Sequence, residues 1–511
     1  LKASGDEAEE EALEEEEEEK EEEEEYEEDE PEKTKITLRI GVFFDGTGNN
    51  LSNAALTELC RRDDRNLLDD RALQETIIHC NRYGYRDISP DGSFKTTPNN
   101  SYGNALSNIA RLFELYIDNS GETLPYDATT ANIKIYIDGI GTLSGQSDSA
   151  YSQGTDTGEM GIVSRVNKSP ALIKKQLDTF LINNPDKEIK LIEFDIFGFS
   201  RGAAAARHFA SEVLKGKSSI FDELINPIKI SNLAKDFTWQ SNTIINFIGL
   251  FDTVAAVEDI LALDFSPANN INPGVNLYLP PGCARKVIQL TARDEKRWNF
   301  ALNSVAPDHQ EIELPGVHSD IGGGYAPLMT EKLLLTKPYI AQLLPGESIE
   351  QTTAWKKTEQ KRIELEKEGI TENGKLQTTY WNIPVLPRGK MPNNNKNIIV
   401  TLTINRKVRG ELSLVYLRAM RDLASLNNVP FKAIKENDPS LAVPDDLHFI
   451  SKKIIAYALG SSNALTSTEN KFLKSNYIHI SSNWTPTAGF FISKPSPNRR
   501  LIYNNKPEQE N

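Results

Sequence analysis

Four apolar runs constrain this chain more than anything else in it: "ITLRIGVFF" (residues 36–44), "NIKIYID" (132–138), "IKLIEFDIF" (189–197) and "IINFIGLF" (244–251). Each is rich in β-branched and aromatic residues, is mostly apolar on both faces, and stops at a turn or a polar residue: Asp45-Gly46, Asp138-Gly139, Gly198 and Asp252. Strands of that kind belong in a parallel sheet covered by helices on both sides. Helical segments are expected between them, for example over residues 102–116 and 170–181. Two more strands are expected at "RKVIQLTA" (285–292) and "QEIELPG" (310–316). Strands alternating with helices mean an α/β fold on a mostly parallel sheet. In such sheets chemistry gathers at the carboxyl ends of the strands.

The 511 residues, 38% of them hydrophobic, suffice for one large domain or several ordinary ones. The formal net charge of −17 belongs to one end. Residues 1–33 hold 21 Asp and Glu against three Lys, so of 74 acidic and 57 basic residues 53 and 54 remain for the body, a net of +1. A like-charge block this dense is expected to be disordered, as a solubilising or linker tail or as a docking segment for a basic partner. The near-neutral body carries no footprint for nucleic acid. The start is acidic, not a basic segment followed by an apolar one, so no signal peptide is expected. It begins at Leu1 without a methionine, as a trimmed piece of a longer chain would. Cys60, Cys80 and Cys283 are too far apart for metal spacing or a disulfide framework, which suits synthesis in a reducing cytoplasm. The expected divisions are an acidic tail (1–33), a catalytic core (34–325), an inserted cap or membrane-contacting region (326–444), and a C-terminal part returning to the core (445–511). Its final stretch, from about Lys494, is rich in Pro and Asn and is expected to be loose.

Gly198-Phe199-Ser200-Arg201-Gly202 fits G-x-S-x-G. A strand precedes it and "RGAAAARHFASEVL" follows as a helix, the context in which the glycines turn the chain sharply and expose a nucleophilic serine. Ser200 then needs a base and an acid. His318 lies on the glycine-rich loop "LPGVHSDIGGGY" (314–325) after a strand, with His479 in "YIHISSNW" as its rival. His208 rides on the elbow helix and reads as packing. Asp252 sits at a strand's carboxyl end. Asp320 is the alternative acid or a brace for the loop, and Asp195 lies inside the nucleophile strand. The backbone N–H of Arg201, with that of Gly46 or Thr47 in "FFDGTGNN" (43–50), would hold an oxyanion. That same glycine turn allows another reading, a phosphoryl hydrolase using Asp45 and a divalent metal. A third is a non-enzymatic adaptor with a relic hydrolase fold.

Six motifs in order, "IGVFFDGTGNN", "YIDGIGT", "GFSRGAAAAR", "FDTVAAV", "TARDEKRWNF" and "LPGVHSDIGGGY", cover residues about 38–325. The set resembles the first class of type VI secretion lipase effectors and the wider α/β-hydrolase domain they share; "ELSLVYLRAMRDLASLNNVPF" (411–431) is similar to that family's later region. The resemblance implies a phospholipase A, without a cofactor, in which Ser200 is nucleophile, Asp252 acid and His318 base. It implies a phospholipid membrane as substrate, an inserted membrane-contacting region, a cognate immunity protein, and a secretion spike or adaptor as partner. The protein would be made in a bacterial cytoplasm and delivered to the periplasm or membrane of a rival. The acidic tail is a departure from the family. Within 326–444, "EKLLLTKPYIAQLLPG" (331–346) reads as an amphipathic stretch suited to an interface.

Overall fold

The computed structural model describes residues 33–61, 68–89, 92–98, 100–142, 144, 161–216, 219–221, 232–255, 274–383, 396–462, 465–486 and 493–507. The acidic tail up to residue 32, most of the Gly/Ser-rich stretch after residue 139, and the Asn-rich stretch 384–395 lie outside them.

Among the described residues six strands form the central sheet: β1 (Thr34–Phe44), β2 (Thr130–Ile137), β3 (Lys187–Phe199), β4 (Thr243–Phe251), β5 (Lys286–Ala292) and β6 (Gln310–Leu314). Their order is β2-β1-β3-β4-β5-β6, and every neighbouring pair is parallel. The alternation along β1 shows why both faces must be apolar. Ile36, Leu38, Ile40, Val42 and Phe44 enter one buried cluster, with Ala203–Ala206 and Phe209. Phe43 points the other way, into a second cluster with Ile109, Leu112, Phe197, Phe247 and Met420. Helices α1 (Asn108–Leu115), α2 (Ile162–Asn183) and α3 (Arg201–Lys215) flank the sheet. Pro170 lies inside α2, not at its start, and forgoes one backbone hydrogen bond there. The strand order reverses at β1, which opens a crevice between the carboxyl ends of β1 and β3.

Residues 331–346, the amphipathic stretch, are mostly strand. They fall in a second, antiparallel sheet of β7 (Leu328–Leu334), β8 (Tyr339–Leu343), β9 (Gly374–Ile383) and β10 (Lys396–Arg409). Strand β10 is central, with β9 on one side and β7 and β8 in succession on the other. Its even positions Ile398, Val400, Leu402 and Ile404 are buried, against Leu343, Ala354 and their neighbours at the Ile398 end. Arg406 continues that row and is buried because Glu331 Oε2 accepts from its Nε at 2.7 Å and the Lys474 and Ile478 carbonyls take its other nitrogens. Helix α5 (Leu412–Ser425), although within 326–444, packs on the main sheet through Met420 and its neighbours. Among the described residues no helix is long and apolar enough to cross a membrane.

Two expectations are overturned. Cys60 and Cys80 are joined in a disulfide, inside a small buried cluster with Tyr85. A spacing of 20 residues is uninformative about proximity; Cys60 lies on the one-turn helix Glu58–Arg61 and Cys80 near the end of the helix Asp70–Arg82, and these two helices pack against each other. Closing a loop of that length is worth about 3 kcal/mol in the chain-entropy picture. Reductant should therefore lower the thermal midpoint of the wild-type protein and leave a Cys60→Ser/Cys80→Ser variant, already lowered, unchanged. The second is the C-terminal stretch, which is docked and not loose. Its composition disfavours regular structure, yet Ile502–Tyr503 pairs with Leu302–Asn303, and Ser496 N–H donates to the Lys296 carbonyl at 2.7 Å. Asn505 Oδ1 accepts from Arg207 of α3 at 3.1 Å.

Candidate active site

The turn from β3 into α3 leaves no room for side chains at its glycines. A Cβ on Gly202 would run into the carbonyl oxygens of Phe44 and Asp45, and one on Gly198 into the backbone of Gly202 and Ala203. Ser200 carries the strain, with φ 58° and ψ −126°, a conformation that costs a residue bearing a Cβ of order 1–3 kcal/mol. Its N–H donates to the Phe251 carbonyl at 3.1 Å, and its own carbonyl accepts from Val254 N–H at 3.4 Å. The elbow is thereby stitched to the end of β4, where Asp252 also has a positive φ, 43°.

Asp252 is fully buried. Its Oδ2 accepts from His318 Nδ1 at 2.6 Å and from Arg500 Nη2 at 2.8 Å, while Oδ1 accepts from Arg500 Nη1 at 2.7 Å and from Ala292 N–H at 2.9 Å. Burial by itself would raise this carboxyl, but the Arg500 guanidinium and the bonds from His318 and Arg500 hold it well below the ordinary carboxylate range. His318 opens the short helix α4 (His318–Gly322). Its ring lies 4.7 Å from Phe199, the residue before Ser200, and 5.0 Å from Phe300. Burial pushes its imidazole below the ordinary value, against the opposing pull of Asp252, so the neutral form, the one able to accept a proton, is favoured. The His318 N–H donates to Glu295 Oε2 at 3.2 Å. Glu295 is in turn paired with Arg297 at 2.9 Å.

The two alternative residues are bonded to each other. His479 Nδ1 lies 2.7 Å from Asp320 Oδ1, and the His479 N–H donates to Oδ2 at 3.1 Å. The His479 ring stacks on Tyr325 at 3.7 Å. Asp320 Oδ2 also accepts from Val317 N–H at 2.9 Å, so this pair ties α4 to the chain near residue 479. His208 Nδ1 accepts from Asn276 N–H at 3.2 Å. Asp195 is held by Tyr116 and Asn246.

The turn after β1 abuts the elbow, since a Cβ on Gly46 would meet the Phe199 ring at 2.9 Å or closer. Asp45 Oδ2 accepts from Ser107 at 2.7 Å and from Tyr136 at 2.6 Å, and Oδ1 accepts from Gly46 N–H at 2.6 Å. Burial raises this carboxyl to about 6. Both its oxygens face protein donors, and the Gly46 N–H is engaged. Thr47 Oγ1 is buried without a hydrogen-bond partner. Arg201 opens α3, at the end where helix amides and dipole favour negative charge. Among the described residues no group of three or more His, Cys, Asp and Glu is arranged to hold a metal ion.

Sequence reasoning missed Arg500 and Glu295. No motif surrounds Arg500, which lies 248 residues from Asp252. Glu295 sits inside "TARDEKRWNF" (291–300), but nothing in its spacing points to the His318 backbone.

Residues 214–339, a span that holds Asp252 and His318 but not Ser200, match the family model of the type VI secretion system phospholipase effector Tle1-like catalytic domain. No curated protein matches the chain. A solved structure of the Tle1 effector bound to the VgrG spike of the type VI secretion system is similar at 31% identity and a TM-score of 0.68, over 92% of this chain and 94% of that one. An uncharacterized protein from Pseudomonas aeruginosa is similar at 17% identity and a TM-score of 0.40, over 86% of this chain and 52% of that one. On the agreement with the Tle1 effector along nearly the whole length of both chains, this chain belongs to the Tle1-like family of type VI secretion phospholipase effectors.

Proposed function

We propose that the chain is a serine esterase of the phospholipase A type, acting on acyl esters of glycerophospholipids through Ser200, His318 and Asp252. The observation that carries the reading is the short His318–Asp252 hydrogen bond, 2.6 Å, at the end of the sheet where Ser200 occupies its strained elbow. Ser200 Oγ attacks the ester carbonyl while His318 Nε2 takes its proton. The tetrahedral oxyanion is held by the N–H groups of Arg201 and Thr47, the Gly46 N–H being turned to Asp45. His318 returns the proton to the leaving alcohol. Water then repeats the sequence on the acyl-enzyme, releasing the fatty acid and restoring Ser200. Asp252 fixes the imidazole tautomer and stabilises the imidazolium.

Family membership supports a phospholipid as substrate. It also supports delivery by a type VI system to the periplasm or membrane of a target cell, with a spike protein as carrier, as in the related Tle1–VgrG structure, and a cognate immunity protein. Mass spectrometry of phospholipid vesicles treated with the protein tests the reading. Lysophospholipid and fatty acid are expected; phosphatidic acid would instead mean phosphoryl chemistry.

The second sheet is the part proposed to meet the lipid. On one of its faces Ile340, Ile399 and Trp381 align across three strands, and Ile340 and Trp381 are 73% and 45% exposed. Lys332 and Lys375 flank Asn405 farther along the same face. An apolar row beside lysines suits an anionic interface, with about 1 kcal/mol per basic residue near the surface. Ile340→Ser/Trp381→Ser is expected to weaken vesicle binding and phospholipid hydrolysis several-fold and to spare a short-chain soluble ester. Equal loss on both substrates would assign these residues to folding.

A further inference from the structure

We propose that Arg500, carried in on the C-terminal strap, is a positioning residue of the active site: it fixes the orientation and the negative charge of Asp252, so that the hydrolase centre is complete only when residues 493–507 are docked. The inference rests on the Ser200–His318–Asp252 reading above.

A fully buried carboxylate must be compensated by its partners. One neutral imidazole N–H and one backbone N–H, from Ala292, do little toward that. Arg500 supplies a full charge and two bonds in the bidentate geometry that suits a carboxylate, at 2.7 and 2.8 Å. The two forks leave the carboxylate little freedom to rotate, and Oδ2 stays aimed at His318 Nδ1. The guanidinium is itself fixed, because Arg500 Nε donates to the Phe300 carbonyl at 2.7 Å, and the Phe300 ring packs on His318. The neighbouring chain is tied down by Leu302 N–H to the Leu501 carbonyl at 2.9 Å and Ser304 N–H to the Tyr503 carbonyl at 2.8 Å. Asn505 reaches Arg207 on the nucleophile helix. The strap therefore grips both the elbow helix and the loop beside the base.

The arrangement has a cost that makes it testable. A cation beside the His318–Asp252 pair disfavours the extra proton that His318 takes up during reaction. The other charges facing the pair are Glu295 and Arg297 from the loop after β5, with Glu311 of β6 acting on Arg500 and Asp320 on the helix of His318, itself bonded to His479. Glu295 and Arg297 are mutually paired, which leaves Arg500 as the cation that contacts the acid. Removing it raises the proton affinity of the pair whichever member holds the proton, so the acidic limb of kcat/KM moves to higher pH.

Arg500→Met and Arg500→Lys are compared with wild type on a short-chain ester across pH, and His318 is titrated by NMR in protein labelled with 15N-histidine. Arg500→Met should lose roughly 100-fold in kcat with little change in KM, a smaller loss than removal of the acid itself. Its acidic limb and its His318 titration should both move up by about one pH unit or more. Arg500→Lys keeps the charge and one bond, and should recover much of the rate with a limb near wild type. An unmoved His318 titration in Arg500→Met overturns the inference, as does a loss that is uniform in pH and not relieved by lysine. Should the wild type show no Ser200-dependent ester hydrolysis, it is the hydrolase reading that fails, and the His318 titration still decides the role of Arg500.

Discussion

Ser200→Ala is expected to abolish ester hydrolysis, by about four or more orders of magnitude, while leaving the fold intact. Members of a nucleophile–base unit fail together and not additively, so His318→Ala should match it, and the double variant should be no worse than either. The structure sharpens the contrast with His479→Ala. His479 is bonded to Asp320 and stacked on Tyr325, and its removal leaves a buried carboxylate with fewer donors. That variant should lose stability, about 1–3 kcal/mol, and retain most of its turnover at a temperature where it is folded. Phospholipid turnover and a fluorophosphonate label on Ser200 read the first effect, and thermal melts the second. An unlabelled Ser200, or His479→Ala as inactive as His318→Ala in folded protein, would move the chemistry to other residues.

The parts of the molecule that sequence could foretell are those specified by short-range rules. Runs such as residues 36–44 and 189–197 are apolar on both faces because helices cover both sides of the sheet. Neither a half-exposed strand nor an amphipathic surface helix produces that pattern. The elbow is legible for a similar reason. Only glycine fits where Gly198 and Gly202 touch backbone, so the proposed chemistry and the steric constraint are written in the same five letters. The antiparallel sheet is less plain. Its period-two signal at Ile398, Val400, Leu402 and Ile404 is present, but the surrounding lysines and the buried Arg406 give the segment the look of a solvated insertion. What escapes altogether depends on where distant chain returns. The Cys60–Cys80 bond, the Asp320–His479 pair and the Arg500–Asp252 fork each join residues whose partnership no local pattern encodes. In the last case composition points the wrong way. A Pro/Asn-rich stretch lacks helix and strand, yet its backbone groups can still be satisfied one by one against a neighbour.

In the proposed triad Asp252 joins catalysis and stability in one side chain, and Asp252→Ala is expected to damage both. Without the acid His318 loses its orienting partner, and turnover should fall by about four orders of magnitude. The substitution also leaves Arg500, a residue only 9% exposed, without its anion. Breaking a buried ion pair from one side costs about 3–5 kcal/mol, whereas replacing both members by apolar groups is often close to neutral. The positive φ at position 252 adds strain for alanine, but that cost is common to the single and the double variant. Asp252→Ala/Arg500→Met should therefore regain most of the stability lost by Asp252→Ala and none of the activity. Denaturant unfolding and ester turnover on the three proteins separate the two effects. A double variant no more stable than Asp252→Ala would mean that the loss came from cavity and strap packing and not from a stranded charge. Activity returning in the double variant would show that Arg500, unpaired, had been the poison and that His318 needs no acid.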